Sequence, residues 1–279
     1  MKILNDKLVL VLSNFTLTAC GFALLSAGFK LFTDSNRILL SRVIAANSET
    51  LSSLQHPFFY YIALGLAGAG LIAIFISLIG WWAITCLSNY FVLSIYFLIV
   101  LCWLLVEFSF CSMAAVWPQC IGLSLDESLM VKMLQSSYGV PGKEQLTASI
   151  DLVQTHFKCC AISSNLDYDM SLWKLQNYAK RDWVVPATCC ILQNSHEKRS
   201  YLDPKPLNIS LCQSLLKHEY NHARYSQSCL EHLSTWYEHH TKLFLIGGLV
   251  LAAVQMMVLI SIIFTCTRMA SSHRRKTLI

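Results

Sequence analysis

Residues 184–190 read Val184-Val185-Pro186-Ala187-Thr188-Cys189-Cys190, so this stretch ends in two adjacent cysteines. An earlier adjacent pair, Cys159-Cys160, and two single cysteines, Cys212 and Cys229, lie in the same polar region. An even set of cysteines in a small domain is typical of disulfides, which form outside the reducing cytosol. Zinc binding is the alternative, but adjacent cysteines lack the two-residue spacing of structural zinc sites. These six cysteines therefore predict three disulfides in an oxidising compartment.

The composition of the whole chain indicates a membrane protein. Of its 279 residues, 55% are hydrophobic and 13% are charged, and the mean hydropathy is +0.50. Soluble domains contain about 25% charged residues, so the class that fits is a multi-pass membrane protein. The net charge of +5 is spread unevenly, without a basic stripe interleaved with aromatic residues. This distribution argues against a nucleic-acid partner.

Four apolar stretches are long enough to cross a hydrocarbon core about 30 Å thick. They are residues 8–29, 58–84, 90–117 and 243–266. The first is too long for the apolar region of a cleaved signal peptide and lacks a clear cleavage site. We therefore expect it to be retained as the first transmembrane span.

Charge predicts how these spans are oriented. The tail, residues 267–279, is rich in basic residues, which favour the cytoplasmic side of a membrane. Because four spans separate the two ends of the chain, the N-terminal residues 1–7 are predicted to be cytoplasmic too. The remaining segments are then a small extracellular loop (residues 30–57), an inner turn (residues 85–89) and a large extracellular domain (residues 118–242).

Helical periodicity predicts that the large extracellular domain is mainly α-helical. One helix, marked by Leu125, Leu129 and Met133, is expected to continue out of the membrane from the third span until Gly139 breaks it, and a second to end just before Cys159-Cys160. A third helix is expected to start near Cys212 and to continue into the fourth span. The head, residues 161–211, is irregular and too small to fold without disulfides. The predicted fold is an all-α membrane protein, a four-transmembrane-helix bundle with a disulfide-stapled, mainly helical large extracellular loop.

Small side chains recur every fourth residue in the first two spans. They predict close packing of these helices, because helix association in lipid depends on close contact. The predicted contact rows are Ala19, Ala23 and Ala27 in the first span and Gly65, Ala69, Ala73 and Ser77 in the second.

Three polar side chains lie inside the predicted spans: Asn14, Glu107 and Gln255. At 1.5 Å per residue, Glu107 and Gln255 lie at similar depths below the outer ends of their helices, which lets them meet. A proton or ion relay normally needs a chain of ionisable groups, whereas Glu107 is the one acidic or basic residue in the predicted spans. We therefore favour interhelical hydrogen bonds, or the polar lining of a small cavity, over a relay.

Two cysteines, Cys86 and Cys266, lie at the predicted inner boundary of the membrane. Cysteines in this position are candidates for palmitoylation, and burial as small apolar side chains is the equal alternative. The last three residues, Thr277, Leu278 and Ile279, have the form of a PDZ-domain ligand, which is a weak signal in so short a motif.

Asn208 begins an N-glycosylation site, Asn208-Ile209-Ser210, in the large extracellular domain. Such a site is accessible to modification there. We therefore predict that Asn208 carries a glycan.

Residues 218–222 read His218-Glu219-Tyr220-Asn221-His222, a literal HExxH motif. On a helix, the two histidines can bind zinc while the glutamate acts as a general base. Catalysis also needs a third ligand and a substrate cleft, and the sequence offers only loose candidates in His232 and Glu238. We predict a solvated helical face, with His218 and His222 as a weak candidate for metal binding.

These features together resemble the tetraspanin family. The resemblance rests on four spans with a small and a large outer loop, and on the order Cys159-Cys160, Val185–Cys190, Cys212, Cys229. The three polar residues inside the spans also stand where this family tends to carry polar residues. The resemblance therefore covers nearly the whole chain.

The sequence departs from the family pattern at three places. Ala161 and Ser228 stand where glycine is usual, and residues 85–90 lack the usual acidic residue of the inner turn. The resemblance is thus to a divergent member, and no subfamily is indicated.

The resemblance implies a disulfide pairing and a function. The implied disulfides are Cys159–Cys229, Cys160–Cys189 and Cys190–Cys212. The implied function is a scaffold without catalytic residues, at the plasma membrane or in the endosomal system. It would bind receptors, adhesion molecules, membrane proteases and other tetraspanins laterally. No cofactor is implied beyond cholesterol or another lipid held among the spans. The alternatives are a small transporter or lipid- or sterol-binding four-span protein and, less favoured, a zinc-dependent membrane enzyme using residues 218–222.

Overall fold

The computed structural model describes residues 2–46, 51, 54–85, 90–116 and 125–277. Within these residues the chain is mostly helical, and its only extended pairings are two isolated bridges. Four helices are long and apolar enough to cross a membrane: Leu8–Thr33, Phe58–Thr85, Tyr90–Met113 and Cys229–Arg268. The predicted fold class, a four-span helical membrane protein with disulfides in its large loop, is confirmed.

The chain divides into two compact units. The helical bundle comprises Met1–Thr33, Ile62–Val116 and Lys242–Ile279, and the loop domain comprises Asp34–Tyr61 and Trp117–Thr241. In chain order the helices are α1 (Lys2–Thr33), α2 (Ser35–Ala45), α3 (Phe58–Thr85), α4 (Tyr90–Val116), α5 (Glu127–Ser137), α6 (Glu144–Phe157), α7 (Leu172–Leu175), α8 (Ile209–Cys212), α9 (Lys217–Tyr220) and α10 (Cys229–Thr277). Short 3₁₀ helices cover Asn165–Tyr168 and Ala187–Cys189.

In the bundle, α1 and α3 pack closely through glycines. A Cβ atom added to Gly70 would lie 2.6 Å from the backbone N of Leu25. One added to Gly28 would lie 2.7 Å from the backbone N of Ala67. Backbone atoms cannot swing aside as the end of a side chain can, so these positions accept only glycine at this separation. The close approach of the first two spans is therefore observed.

The prediction of which residues make this contact was only partly right. Ala73 and Ser77 of α3 are buried. The predicted row of α1 and the first predicted residue of α3 are instead exposed on the surface of the bundle: Ala19, Ala23, Ala27 and Gly65. A four-residue spacing drifts by about 40° per step around an α-helix. Such a row therefore leaves the contact face.

The buried face of α1 repeats every seven residues, at Asn14, Gly21 and Gly28. Steps that alternate between three and four residues stay on one face of a helix, which is the geometry of two helices in extended contact. This spacing is visible in the sequence, and it is the signal that identifies the contact face.

The small loop contributes a helix, α2, where the polar sequence of residues 30–57 predicts only a short loop. The Asp34 carboxylate caps its start by accepting the backbone N–H of Arg37 at 3.2 Å. The helix buries Leu40, Val43 and Ile44 and packs against α6. Residues of the small loop are therefore part of the core of the loop domain.

Two helices of the large loop end where the periodicity predicts. α5 ends at Ser137, and Gly139 then turns the chain with a φ of +67°. A Cβ atom at Gly139 would lie 2.2 Å from Cδ1 of Trp173, so both backbone conformation and packing require glycine. α6 ends at Phe157, where Lys158 has a left-handed φ of 54°. The link from the third span to α5 includes residues 117–124, which lie outside the described residues.

The predicted start of the third loop helix near Cys212 was wrong. Cys212 ends the four-residue helix α8, and the long helix α10 starts at Cys229. The Arg224 side chain donates hydrogen bonds to the carbonyl oxygens of Cys212 and Ser214, which holds the intervening chain in a compact fold. A buried side-chain contact of this kind leaves no periodic signal in the sequence.

Candidate functional site

Three disulfides lie in the loop domain. They join Cys159 with Cys229, Cys160 with Cys189, and Cys190 with Cys212, which are the pairs that the family resemblance implies. All six cysteines are buried. The first disulfide connects the end of α6 to the start of α10, and the other two connect the head to α6 and α8. Two disulfides therefore fix the head directly, and the third joins the helices on either side of it.

A buried cluster of polar side chains lies beside these disulfides. We call it the polar hub, and its members are Tyr138, Asp151, Gln154, Tyr168 and Thr188. The Tyr138 hydroxyl donates to Oδ1 of Asp151 at 2.8 Å, and Gln154 Nε2 donates to the hydroxyl of Tyr168. Thr188 Oγ1 lies 2.8 Å from Asp151 Oδ1 and 2.6 Å from Gln154 Oε1. The hub ties the Thr188 segment of the head to α6.

Burial and hydrogen bonding act in opposite directions on the pKa of Asp151. Burial disfavours the ionised carboxylate and raises the pKa to about 6, although hydrogen bonds from Tyr138 and Thr188 act in the opposite direction. Asp151 therefore takes up its proton at a higher pH than an ordinary aspartate does.

This raised pKa predicts that the loop domain becomes more stable as the pH falls from 7 to 4.5. The folded state holds the Asp151 proton more tightly than the unfolded state. The stabilisation is therefore complete only below about pH 4, the pKa of an aspartate in the unfolded chain, and it is lost as the pH rises through 6. Asp151→Asn removes the charge and should flatten this dependence, by about 2 kcal/mol between pH 7 and 4.5. The measurement is thermal or denaturant unfolding of the full chain at several pH values.

Asp182→Asn, at an exposed aspartate of the same domain, is the matched control and should keep the wild-type pH dependence. An Asp151→Asn variant with the same pH dependence as the wild type would show that Asp151 ionises normally in the fold.

A second buried polar group, Arg224, organises the segment from α8 to α9. Its side chain is 4% exposed. Its Nε donates to the Cys212 carbonyl at 2.7 Å, its Nη2 donates to the Ser214 carbonyl at 3.0 Å, and its guanidinium lies 4.4 Å from the ring centroid of Tyr220. Burial lowers the pKa of Arg224 below the usual value for arginine. These contacts make residues 208–220 a compact element next to the Cys190–Cys212 disulfide.

The surface of the loop domain carries two runs of exposed apolar side chains. The first lies between residues 166 and 178: Leu166, Met170, Leu175 and Tyr178. The second lies between residues 207 and 216: Leu207, Ile209, Leu211, Leu215 and Leu216. Apolar side chains concentrated in this way on a water-facing domain indicate a binding surface.

Within the bundle, the structure brings together two of the three predicted polar residues. Gln255 Nε2 donates to Glu107 Oε2 at 2.7 Å, which joins α10 to α4. Gln255 Oε1 is buried and has no hydrogen-bond partner among the described residues, and the same holds for Nε1 of Trp103, one helical turn before Glu107. A buried acceptor and a buried donor thus remain unsatisfied beside this pair.

The third residue, Asn14, lies at a different contact. Its Oδ1 accepts the hydroxyl of Tyr96 at 2.6 Å, and its Nδ2 donates to the Leu10 carbonyl at 2.9 Å. Gly80 of α3 lies against both, because a Cβ atom there would be 2.1 Å from Asn14 Oδ1 and 2.6 Å from the Tyr96 hydroxyl. Asn14 therefore connects α1 to α4 by a hydrogen bond, and Gly80 of α3 lies directly against this bond.

The HExxH segment does not form the two-turn helix that a zinc site of this type needs. α9 covers only Lys217–Tyr220, and Asn221 already caps its end. Glu219 accepts the hydroxyl of Ser214, which occupies one of its carboxylate oxygens. His218 and His222 are exposed, and no group of three or more His, Cys, Asp or Glu side chains in the described part of the chain is arranged around a metal position.

The remaining predicted sites are the two palmitoylation candidates, the glycosylation site and the C-terminal motif. Cys266 is a free, partly buried cysteine that packs against the buried core of the bundle. Asn208 is exposed and caps α8, with its Oδ1 accepting the backbone N–H of Leu211 at 3.1 Å. Cys86, Leu278 and Ile279, and the side chain of Thr277, lie outside the described residues. Palmitoylation, glycosylation and the PDZ motif stay predictions.

Sequence reasoning missed the polar hub, the Arg224 contacts and the role of Tyr96. Residues 186–190 are recognisable by their two cysteines. Thr188, in the same run, is a member of the hub but matches no sequence motif. Tyr96, fully buried in an apolar span, offers no signal beyond being an aromatic residue with a hydroxyl in a membrane segment.

Four apolar helices and a disulfide-bonded helical loop domain define a multi-pass membrane protein with one folded domain outside its spans. Residues 7–268 match the Tetraspanin family, and the chain belongs to that family. It is 32% identical to Tetraspanin-11 of Homo sapiens over 189 residues, which cover 66% of this chain and 67% of the human protein. It is 25% identical to the CD151 antigen of Mus musculus over 223 residues, which cover 80% of this chain and 79% of the mouse protein.

Proposed function

We propose that this tetraspanin is a scaffold that binds partner membrane proteins laterally and organises their trafficking, adhesion or signalling. The observation that supports this most strongly is the exposed apolar surface of the head. A surface on a head that two disulfides hold in place loses little conformational entropy on binding, which favours recognition of protein partners. The proposed partners are receptors, adhesion molecules, membrane proteases and other tetraspanins in the same membrane.

The proposed location is the plasma membrane or the endosomal system, with both chain ends in the cytoplasm. Disulfides persist in oxidising compartments, which supports an extracellular or luminal loop domain. The basic residues of the tail, residues 267–279, support its cytoplasmic placement. We propose no catalytic role.

Co-purification tests this proposal. The full chain, expressed at native levels and extracted in a mild detergent, should carry specific membrane proteins that quantitative mass spectrometry identifies. Replacing residues 161–211 with the corresponding head of another tetraspanin should change this set, while the protein still reaches the same membrane. An unchanged set of partners would refute the proposal. Stoichiometric zinc that is lost in His218→Ala, with an activity lost in Glu219→Gln, would favour the zinc enzyme instead.

Lipid or sterol binding is a second proposed function, supported by the unsatisfied atoms beside Glu107. Gln255 Oε1 can accept a hydrogen bond from a hydroxyl group and Trp103 Nε1 can donate one to it, so either atom suits a hydroxyl-bearing lipid such as cholesterol. Lipid extracted from the purified chain should contain a sterol at near-equal molar ratio, and Gln255→Leu should remove it. Equal sterol content in both proteins would exclude this site.

A further inference from the structure

A groove in the helical bundle lies between α1 and α10, near the two ends of the chain. It has a volume of about 410 Å³. Because its lining side chains border one cavity, they form a continuous surface to which both helices contribute. We call it the terminal groove, and it is lined by Val9, Met257, Ile260, Ser261, Phe264 and Arg268.

The walls of the terminal groove are apolar and open to the surroundings of the bundle. Val9, Met257 and Phe264 are each between 49% and 56% exposed. The hydroxyl of Ser261 is already satisfied, because it donates to the Met257 carbonyl oxygen at 2.7 Å. The walls therefore offer a ligand apolar contact, and in a membrane a flexible hydrocarbon chain supplies the packing contacts that such a groove needs.

A positive charge stands at the end of the groove that is nearest the C-terminus. Arg268 is exposed and follows Phe264 by four residues, so the two lie on the same face of α10. It also lies two residues past the last apolar stretch, residues 243–266, at the boundary of the hydrocarbon core. A guanidinium binds phosphate through two parallel N–H donors. A ligand that joins an acyl chain to a phosphate therefore matches both parts of the groove.

The charge pattern of the chain favours an anionic headgroup. Residues 58–106, which cover α3 and the first part of α4, contain no charged residue. Positive charge is concentrated instead on the two helices that form the groove, and basic clusters beside membrane spans attract anionic lipids. Residues 1–7 and 267–279, at this end of α1 and α10, contain one acidic residue, Asp6, and six basic residues: Lys2, Lys7, Arg268, Arg274, Arg275 and Lys276.

We propose that the terminal groove binds an anionic phospholipid, with an acyl chain along its walls and the phosphate at Arg268. The proposed cytoplasmic placement of the chain ends puts this lipid in the cytoplasmic leaflet. The site is distinct from the sterol site beside Glu107, because Gln255 precedes Arg268 by 13 residues, about 20 Å along α10. Lipid binding here goes beyond the proposed scaffold function, since it needs no protein partner.

Native mass spectrometry of the purified, delipidated full chain in mild detergent tests this proposal. The probes are phosphatidylinositol, whose phosphate is its only charged group, and phosphatidylcholine with the same acyl chains. One phosphatidylinositol should bind per chain, at least about tenfold more tightly than phosphatidylcholine. Arg268→Gln should weaken phosphatidylinositol binding about tenfold, because it removes charge-assisted hydrogen bonds to the phosphate. Equal binding of the two lipids by the wild type would overturn the proposal.

A bulky side chain in the groove tests the placement of the acyl chain. Val9→Trp should fill the groove and weaken the binding of both lipids at least about tenfold, and Met257→Trp on the other helix should do the same. Leu8→Trp, at an exposed residue beside Val9, is the matched control and should bind as the wild type does. Phosphatidylinositol should also raise the unfolding temperature of the wild type and of Leu8→Trp, but not of the two groove variants. Unchanged affinities in both groove variants would contradict this placement and overturn the site.

Two further comparisons separate the groove from a general attraction to basic residues. Arg274→Gln with Arg275→Gln removes two charges of the tail and should weaken phosphatidylinositol binding less than Arg268→Gln does. Glycerophosphoinositol, the headgroup without acyl chains, should not displace the lipid at equal concentration. A larger effect of the tail variant, or displacement by the headgroup alone, would overturn the proposal. Partners that survive exchange of the head would refute the proposed scaffold function and leave these lipid affinities unchanged.

Discussion

Replacing Cys189 with serine should trap the protein in the secretory pathway. The change removes the Cys160–Cys189 disulfide, whose two cysteines are 29 residues apart, and loss of a native disulfide from a small domain typically costs about 2–5 kcal/mol. It also leaves Cys160 as a free thiol next to Cys159, where it can mispair during oxidation. Cys189 directly follows Thr188, so the same change loosens the polar hub.

Surface biotinylation and the maturation of the glycan predicted at Asn208 measure this trapping. Cys102→Ser, at an exposed free cysteine of the bundle, is the matched control and should reach the surface normally. Cys160→Ser with Cys189→Ser separates mispairing from lost stability, since it leaves no free thiol at this disulfide. Normal delivery of Cys189→Ser would show that the head folds without this disulfide.

Replacing Gly70 with alanine should separate the first two membrane helices and destabilise the bundle. The added methyl group would lie 2.6 Å from the backbone N of Leu25 and 2.7 Å from the carbonyl oxygen of Gly21. Since both are backbone atoms, the helices themselves must move, and overpacking of this kind typically costs about 1–3 kcal/mol. Separating the helices also loses van der Waals packing, which is what holds helices together in lipid.

Thermal unfolding in detergent measures the loss. Gly68→Ala, on the same helix, is a matched control because a Cβ atom added there would meet no atom within 4 Å. It should unfold at or slightly above the wild-type temperature, since alanine favours helix more than glycine does. Equal unfolding temperatures for Gly70→Ala and Gly68→Ala would contradict the packing of α1 against α3.

The buried framework of the loop domain is separate from its exposed apolar surface. The disulfides, the polar hub and Arg224 hold the head from within, through buried contacts. The exposed apolar side chains on residues 166–178 and 207–216 contribute little to that framework. Substitutions on this surface can therefore change partner choice while the domain keeps its fold.

Strong local patterns made much of this structure predictable. Uninterrupted apolar stretches identified the four membrane helices, because a helix of about 20 residues spans the hydrocarbon core and satisfies its backbone groups within one segment. Periodicity and Gly139 located the ends of α5 and α6. The meeting of Glu107 with Gln255 followed from helical rise alone, since both lie at comparable depth in their helices.

Most contacts within the loop domain between segments distant in sequence could not be predicted. Residues 30–57 look like a polar connection because α2 buries only a narrow face, and that face is formed by packing on α6. Asp151, Gln154 and Thr188 look like ordinary surface residues until the disulfides bring their segments together. The start of α10 lies likewise at a contact distant in sequence, where the N–H groups of Cys229 and Leu230 donate to the carbonyl oxygens of Ala161 and Ile162.

The most direct test of the central claim is a reciprocal transplant of the head. Residues 161–211 are placed in an unrelated tetraspanin, and co-purified membrane proteins are compared with those of both parents and of a chimera that exchanges only the four spans. We predict that the partners of this protein follow its head into the new chain, and that the span chimera keeps them. Partners that follow the spans instead would contradict the claim that the head selects them.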